Sequence, residues 1–208
     1  MRELMVTTFL TLDGVMQAPG GPGEDDEGGF QYGGWSAPYW DEVMMETMGK
    51  ATSVPFSMVL GRKTFDIMAA HWPRASEEEG AGVFNNATKY VASRQQLDTS
   101  VWQNSVQLQG DAADAMAALK QEDGPELQVH GSSNLLQSLL ARDGLIDTLS
   151  LWIFPVTVGP GKRLFGDGIS PAGWTMVDHT ISTTGVIIGT YQPTGPVPIG
   201  SFALEGES

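Results

Sequence analysis

The chain reads as an α/β fold: a mostly parallel sheet covered on both faces, a three-layer α/β/α sandwich, with a C-terminal antiparallel hairpin closing one edge. Three observations lead there. Short apolar runs alternate with helical patterns through the middle of the 208 residues, the order that produces crossover connections and parallel pairing. Three of those runs exit into turns that offer Gly, hydroxyl or guanidinium groups: Leu60-Gly61-Arg62-Lys63-Thr64-Phe65, Tyr90-Val91-Ala92-Ser93-Arg94 and Val129-His130-Gly131-Ser132-Ser133-Asn134. The last two runs, Trp174 to Ile181 and Gly185 to Tyr191, flank the polar link Ser182-Thr183-Thr184, as hairpin strands do.

Glu3 to Leu10 reads as a buried first strand. Thr11 to Gly34 follows as a long loop dense in Gly, of the length usually found in lids or inserts. Its acidic run, Glu24-Asp25-Asp26-Glu27, fails the calcium-loop spacing and reads as solvated. Ser36 as N-cap, with Pro38 in the first turn, predicts a helix to about Lys50. Phe56 to Leu60 is the next strand and Arg62 to Ala70 its helix. A short helix near Ala81 to Asn86 leads to strand Tyr90 to Ala92, and Val106 to Gln109 is another brief strand. Asp111 caps an alanine-rich helix to Gln121. Leu127 to His130 is a strand, and Ser132 to Arg142 a helix with apolar spacing at Leu135, Leu136, Leu139 and Leu140. Asp147 to Phe154 is a strand entering the Gly/Pro turn Pro155 to Gly161. No internal repeat or shift in composition marks a second domain, so residues 1–192 are expected to form a single domain. The tail, residues 193–208, is expected to be loosely held.

Composition excludes several classes of function. A hydrophobic fraction of 41% with 17% charged residues fits a folded protein. The formal charge of −14 argues against nucleic acid, which needs a basic face, and against an acidic membrane surface. There are no cysteines, so disulfides, thiolate metal sites and cysteine nucleophiles are excluded. His71 and His179 have no ligand spacing, and no metal is expected. Met1 to Leu12 is too short and too polar for a signal peptide, so a cytoplasmic location is expected.

Only 11 residues are Lys or Arg, yet Arg62, Lys63, Arg94, Lys162 and Arg163 fall within or beside the Gly-containing turns. Strand-to-turn exits of an open α/β sheet collect phosphate-bearing ligands, because backbone amides and helix N-termini converge there. Gly61 permits a tight turn, and Arg62, Lys63 and Thr64 supply donors at a helix mouth. Ser93 beside Arg94 suits a monoester phosphate. Gly131 to Asn134 opens a further helix. The fingerprint Gly-x-Gly-x-x-Gly follows no predicted strand, and no Gly-x-Ser-x-Gly elbow makes Ser132 or Ser133 a hydrolase nucleophile.

These segments, together with Thr11-Leu12-Asp13-Gly14-Val15-Met16, Gly33-Gly34-Trp35 and Pro155 to Phe165, resemble the dihydrofolate-reductase-like family. They resemble in particular the branch related to the C-terminal reductase domain of riboflavin biosynthesis, from about Met1 to Tyr191. The resemblance implies a homodimeric NADPH-dependent reductase acting on a small, for example heterocyclic, substrate. It implies that the cofactor is bound by Leu60, Gly61, Arg62, Lys63, Thr64, Ser93, Arg94, His130, Gly131, Ser132, Ser133 and Asn134, with Ser93 and Arg94 meeting the adenosine 2′-phosphate. Asp13, Trp35, Trp40 and Phe154 are the candidate substrate contacts, with Asp13 as candidate proton donor. Asp13 reads equally as a turn carboxylate, and Trp35, Tyr39 and Trp40 equally as core aromatics.

Two departures bear on the substrate. Folate reductases place an acid five residues after the Trp; here Trp40 holds that place and Asp41 follows, rotated by roughly 100° about a helix. Riboflavin-pathway reductases carry a Lys in the first strand where this chain has Thr7. The phosphorylated ribosylamino-pyrimidine reductase is the alternative activity, and an NADPH-binding sensor without turnover the alternative of another class.

Overall fold

A computed structural model describes residues 1–202. Its frame is an eight-stranded sheet in the order β4-β3-β2-β5-β1-β6-β8-β7. The strands are β1 (Leu4–Thr11), β2 (Phe56–Gly61), β3 (Lys89–Ala92), β4 (Ser105–Leu108), β5 (Glu126–His130), β6 (Thr148–Phe154), β7 (Gly173–Ile181) and β8 (Ile187–Gly195). The first six run parallel, while β8 lies antiparallel to both β6 and β7. The helices are α1 (Glu42–Ala51), α2 (Arg62–His71), α3 (Ala81–Asn86), α4 (Ala112–Gln121) and α5 (Ser133–Leu140). Among the described residues no helix is long and apolar enough to cross a membrane.

The two faces of the sheet are filled differently. On one, Leu4, Val6, Leu10, Val59, Leu127 and Val129 meet α4 and α5 through Met116, Leu119, Leu135, Leu136 and Leu139 in a single cluster. On the other, two separate clusters form. Trp35, Met44, Trp152 and Phe154 gather on the α1 side, and Phe56, Met58, Leu60, Phe65, Val91 and Trp102 on the side of α2 and α3. The alternation of side chains along a strand places Thr7 of β1 and Gln128 and His130 of β5 on this second face, with Thr7 in register with His130.

The helix expected from Ser36 starts later. Ala37–Tyr39 form one 3-10 turn, Trp40 is extended, and α1 begins at Glu42. Asp41 is the reason: its carboxylate accepts from the Met44 amide at 2.9 Å and from the Thr183 amide and hydroxyl at 2.7 Å, so it caps α1 and pins it to the hairpin. The helix expected from Ser132 begins at Ser133, because Ser132 adopts φ +66°. Strand β8 runs past Tyr191 to Gly195 through its pairing with β7, so the first residues assigned to the tail are part of the sheet. Residues 203–208 of that tail lie outside the described residues.

Lys89 is fully buried in β3. Its Nζ donates to the carbonyls of Asn85 at 2.8 Å and Ala87 at 2.9 Å, and lies 4.4 Å from the Trp102 ring centre. Burial pulls its pKa from 10.5 down to about 8. Between those values the unfolded chain holds a proton that the folded chain has released, so stability gains a term that rises with pH. Urea unfolding is therefore expected to show the wild-type chain gaining up to about 3 kcal/mol from pH 8 to 10.5 relative to Lys89→Met; parallel pH profiles for the two proteins would refute this.

Candidate active site

Parallel pairing sets β3, β2, β5 and β1 side by side, so their C-terminal ends share one edge. The three Gly- and hydroxyl-bearing turns meet there. The Gly61 amide donates to the Ser132 hydroxyl at 2.9 Å, and that hydroxyl donates to the His130 carbonyl at 3.3 Å, clasping the turn after β2 to the turn after β5. Gly131 at φ +59° and Ser132 at φ +66° make two successive left-handed residues, a turn that glycine favours at the first of them. Neither α2 nor α5 has a side-chain N-cap, leaving their first-turn amides as donors for a ligand.

A cleft of about 1520 Å³ runs from this edge between α1 and α2. Gly61, Arg62, Lys63, Thr64, Ser93, Arg94, His130, Gly131, Ser132, Ser133, Asn134 and Trp40 all line it. Leu60, Asp13, Trp35 and Phe154 do not. Leu60 is fully buried with Phe65. Phe154 is likewise core, packed edge-on against Trp35 at 5.2 Å. The Trp35 Nε1–H donates to the Gln17 carbonyl at 2.7 Å. Trp40 is 39% exposed and stacks on Trp152 at 5.9 Å.

Asp13 staples the first strand to the Gly/Pro turn. Its carboxylate accepts from the Thr11 hydroxyl at 2.5 Å, the Gly159 amide at 2.7 Å and the Val158 amide at 3.3 Å. Burial alone would raise its pKa; the Thr11 hydroxyl and the two amides outweigh that and hold it below the usual carboxylate range. Asp13 thus has the contacts of a turn carboxylate and is not part of the cleft lining. Glu24 is the opposite case. It lines the cleft, and burial pushes its carboxyl up despite the amides of Gly20 and Gly21. Nothing in the sequence separated it from its acidic neighbours.

The acidic run is not simply solvated. Asp25 is buried and bridges two cations, Lys63 Nζ at 2.5 Å and Lys162 Nζ at 2.7 Å, while Glu27 takes Lys162 at 2.6 Å. Burial opposes ionisation of Asp25, but the hydrogen bonds from Lys162 and Lys63 prevail and its pKa falls. Gln17 frames the strap: its Nε2 donates to the carbonyls of Asp25 and Glu27, and its Oε1 accepts from the Lys162 amide. Arg62 Nε donates to Asp66 at 2.9 Å and its Nη1 to the Gln96 carbonyl at 3.3 Å. Arg163 donates to the Asp13 carbonyl and is not part of the cleft lining. Arg94 is exposed and pairs with no group among the described residues.

The half-buried His130 has its tautomer fixed by a relay. Gln128 Nε2 donates to the Ala51 carbonyl at 3.0 Å and to Glu126 at 2.7 Å, so its Oε1 can only accept, from His130 Nε2–H at 3.2 Å. Burial pushes the imidazole pKa down to about 4, so the ring is neutral near pH 7.

Comparison with known proteins places this geometry. The family model described as the RibD C-terminal domain matches residues 2–188. The uncharacterized protein YyaP of Bacillus subtilis (strain 168) is 25% identical over 198 residues, covering 93% of this chain and 96% of its own length. A pyrimidine reductase-like protein from Corynebacterium diphtheriae superposes with a TM-score of 0.63 at 14% identity, over 92% of each chain. Dihydrofolate reductase from Enterococcus faecalis, solved with NADP(H) and RAB-propyl, superposes with a TM-score of 0.56 at 16% identity, over 92% of this chain and 96% of that one. The fold is thus dihydrofolate-reductase-like.

The strap should yield to charge removal. Asp25→Asn is expected to speed chymotryptic cleavage at the exposed Tyr32 about tenfold at low salt, the effect of losing ~1–2 kcal/mol of partly screened pairing. High salt should accelerate cleavage of the wild type and leave the variant nearly unchanged; equal low-salt rates would remove the strap from the account.

Proposed function

The chain belongs to the RibD C-terminal domain family, and from that footing we propose that it is an oxidoreductase taking NADPH as hydride source for a small acceptor. The observation that carries this reading is the convergence of three strand exits, two helix N-termini without side-chain caps and Arg94, unpaired among the described residues, on one cleft. The donor set fits a phosphorylated dinucleotide: amides with favourable dipoles for the bridging phosphates, and the Arg94 guanidinium for a terminal monoester, beside a Ser93 hydroxyl that would exchange the Gln95 carbonyl for the ligand. Gly131 keeps its turn free of a side chain, as close approach of a phosphate requires.

The chain's own residues then divide the work. Thr64 and the first amides of α2 receive one phosphate, and Gly131 to Asn134 at the mouth of α5 another. Ser93 and Arg94 take the 2′-phosphate and so select against a cofactor lacking it. Lys63 contributes once it exchanges Asp25 for a ligand oxygen. When bound, reduced nicotinamide supplies the hydride. The protein positions the acceptor between β1, Trp40 and α1, and a proton is available from water or from Glu24, which lines the cleft and whose pKa burial raises. The carboxylate of Asp41 is committed to capping α1 and to Thr183, which disfavours folate as acceptor.

Arg94→Ala is expected to weaken NADPH binding roughly 10- to 100-fold and to leave NADH binding within about twofold, because only the former loses a charge-assisted contact. Quenching of tryptophan fluorescence on titration with each dinucleotide measures both; equal losses would refute the assignment. Steady loss of the near-ultraviolet absorbance of NADPH with a panel of pterins, pyrimidines, quinones and nitro compounds tests turnover.

A further inference from the structure

Parallel neighbours are usually joined through a helix, but the connection from β3 to β4, residues 93–104, holds only the 3-10 turn Thr99–Val101. The segment that carries Ser93 and Arg94 therefore depends on what reaches it from outside. Two apolar side chains seat it: Leu97 and Trp102 are buried with Val91 and Phe65. Its polar backbone is held by one side chain of the edge strand. Gln107 Oε1 accepts from the Leu97 amide at 2.9 Å, and Gln107 Nε2 donates to the carbonyls of Ser93 at 3.1 Å and Gln95 at 2.8 Å. The whole amide is spent on one turn, and these partners admit only this orientation of it.

Gln107 is not part of the cleft lining, whereas Ser93, Arg94 and Gln95 are. It acts on the cleft through the backbone of those residues. The Gln95 carbonyl has a second donor, the Ser93 hydroxyl at 2.7 Å, and that hydroxyl also accepts from the Gln95 amide at 3.2 Å. One hydroxyl proton can serve the Gln95 carbonyl or a phosphate oxygen, not both. If the hydroxyl alone shaped the turn, giving it to a ligand would loosen the turn, and binding would have to restore the order lost. Gln107 stays on both carbonyls and on the Leu97 amide, so the turn keeps its shape when the hydroxyl changes partner. Arg62 Nη1 reaches the next carbonyl, that of Gln96, at 3.3 Å, a further brace that does not involve Ser93.

We propose that Gln107 is a positioning residue for recognition of a terminal phosphate monoester. It holds the Ser93–Leu97 turn so that the Ser93 hydroxyl can leave the Gln95 carbonyl for the phosphate, with Arg94 presented from the same turn. This rests on the reductase reading for the roles of Ser93 and Arg94, and it extends the choice of NADPH over NADH to a residue outside the cleft lining.

The test is a double-mutant cycle on the full chain, read by quenching of tryptophan fluorescence with NADPH and NADH. Gln107→Met keeps the length of the side chain and removes its amide. Gln107→Glu keeps the shape and the acceptor for Leu97 but sets an acceptor against two carbonyls. Each is expected to weaken NADPH binding about 5- to 10-fold and to leave NADH binding within about twofold. In the Arg94→Ala background the same substitutions are expected to cost NADPH less than about twofold, because the turn then has no guanidinium to present. A merely structural brace would lower both affinities together and add its effect to that of Arg94→Ala; either result, or unchanged NADPH binding, overturns the proposal. A measurement on the wild type needs no variant to fold. The Leu97 amide is expected to exchange with deuterium equally slowly with and without saturating NADPH, and faster exchange in the complex would mean that Gln107 lets go, which also overturns the proposal. If the wild type binds neither dinucleotide, the reductase reading fails; an NADPH preference abolished by Arg94→Ala but untouched by both Gln107 substitutions overturns this proposal alone.

Discussion

Four adjacent parallel strands, β3, β2, β5 and β1, stop on the same edge of the sheet, and the cleft is a consequence of how that alignment is covered. On the face of α4 and α5 one continuous apolar cluster buries the strands. On the other face the apolar residues divide into a group around α1 and a group around α2 and α3, and the central strands between them carry Thr7, Gln128 and His130. A polar strip with apolar shoulders leaves a groove, because helices have no reason to close over groups that would need partners. The Gly61–Ser132 hydrogen bond then holds two of the strand exits at a fixed distance, which makes the edge a preorganised set of donors rather than three independent loops.

The charge balance explains why the loop crosses the cleft mouth. In a chain of net charge −14, lysines gathered at one edge attract the nearest mobile carboxylates, and Asp25 and Glu27 answer from the chain itself. An anionic ligand arriving at Lys63 therefore replaces a carboxylate instead of filling empty space. Exchange of one ion pair for another changes free energy much less than forming a pair from separated, hydrated ions. Arg94, unpaired among the described residues, has no such exchange to make, so under the reductase reading it is the cation whose full interaction is added on binding.

What was legible in the sequence was what is local. Gly131, Ser93-Arg94 and the apolar runs before them encode strand, turn and donor within a few residues, and the parallel order followed from alternation. What was not legible depends on partners far along the chain. Asp13 is a staple because the Gly159 amide, 146 positions away, reaches it. Asp41 caps α1 and Ser36 does not, in part because Thr183 arrives from the hairpin. The acidic run seemed featureless until Lys63 and Lys162 were brought to it by separate elements. Trp35 and Phe154 carry no local sign that they face each other rather than a ligand, whereas Trp40, extended between a 3-10 turn and α1, is turned toward the groove.

The same non-local partners determine what the cleft can do chemically. A proton donor must hold its proton near neutral pH and sit where the acceptor sits. In Asp13 three donors stabilise the charged form, and the residue is not part of the groove lining. His130 lines the groove, but the Gln128 relay fixes its N–H and burial keeps the ring neutral near pH 7. Glu24 lines the groove and burial raises its pKa above the ordinary carboxylate value, while the Gly20 and Gly21 amides favour its charged form, and it rides on the strap that Asp25 anchors. Under the reductase reading, its distance from an acceptor would be governed by the same ion pairs that an incoming phosphate exchanges, which would link phosphate binding to the placement of Glu24 through one short stretch of loop.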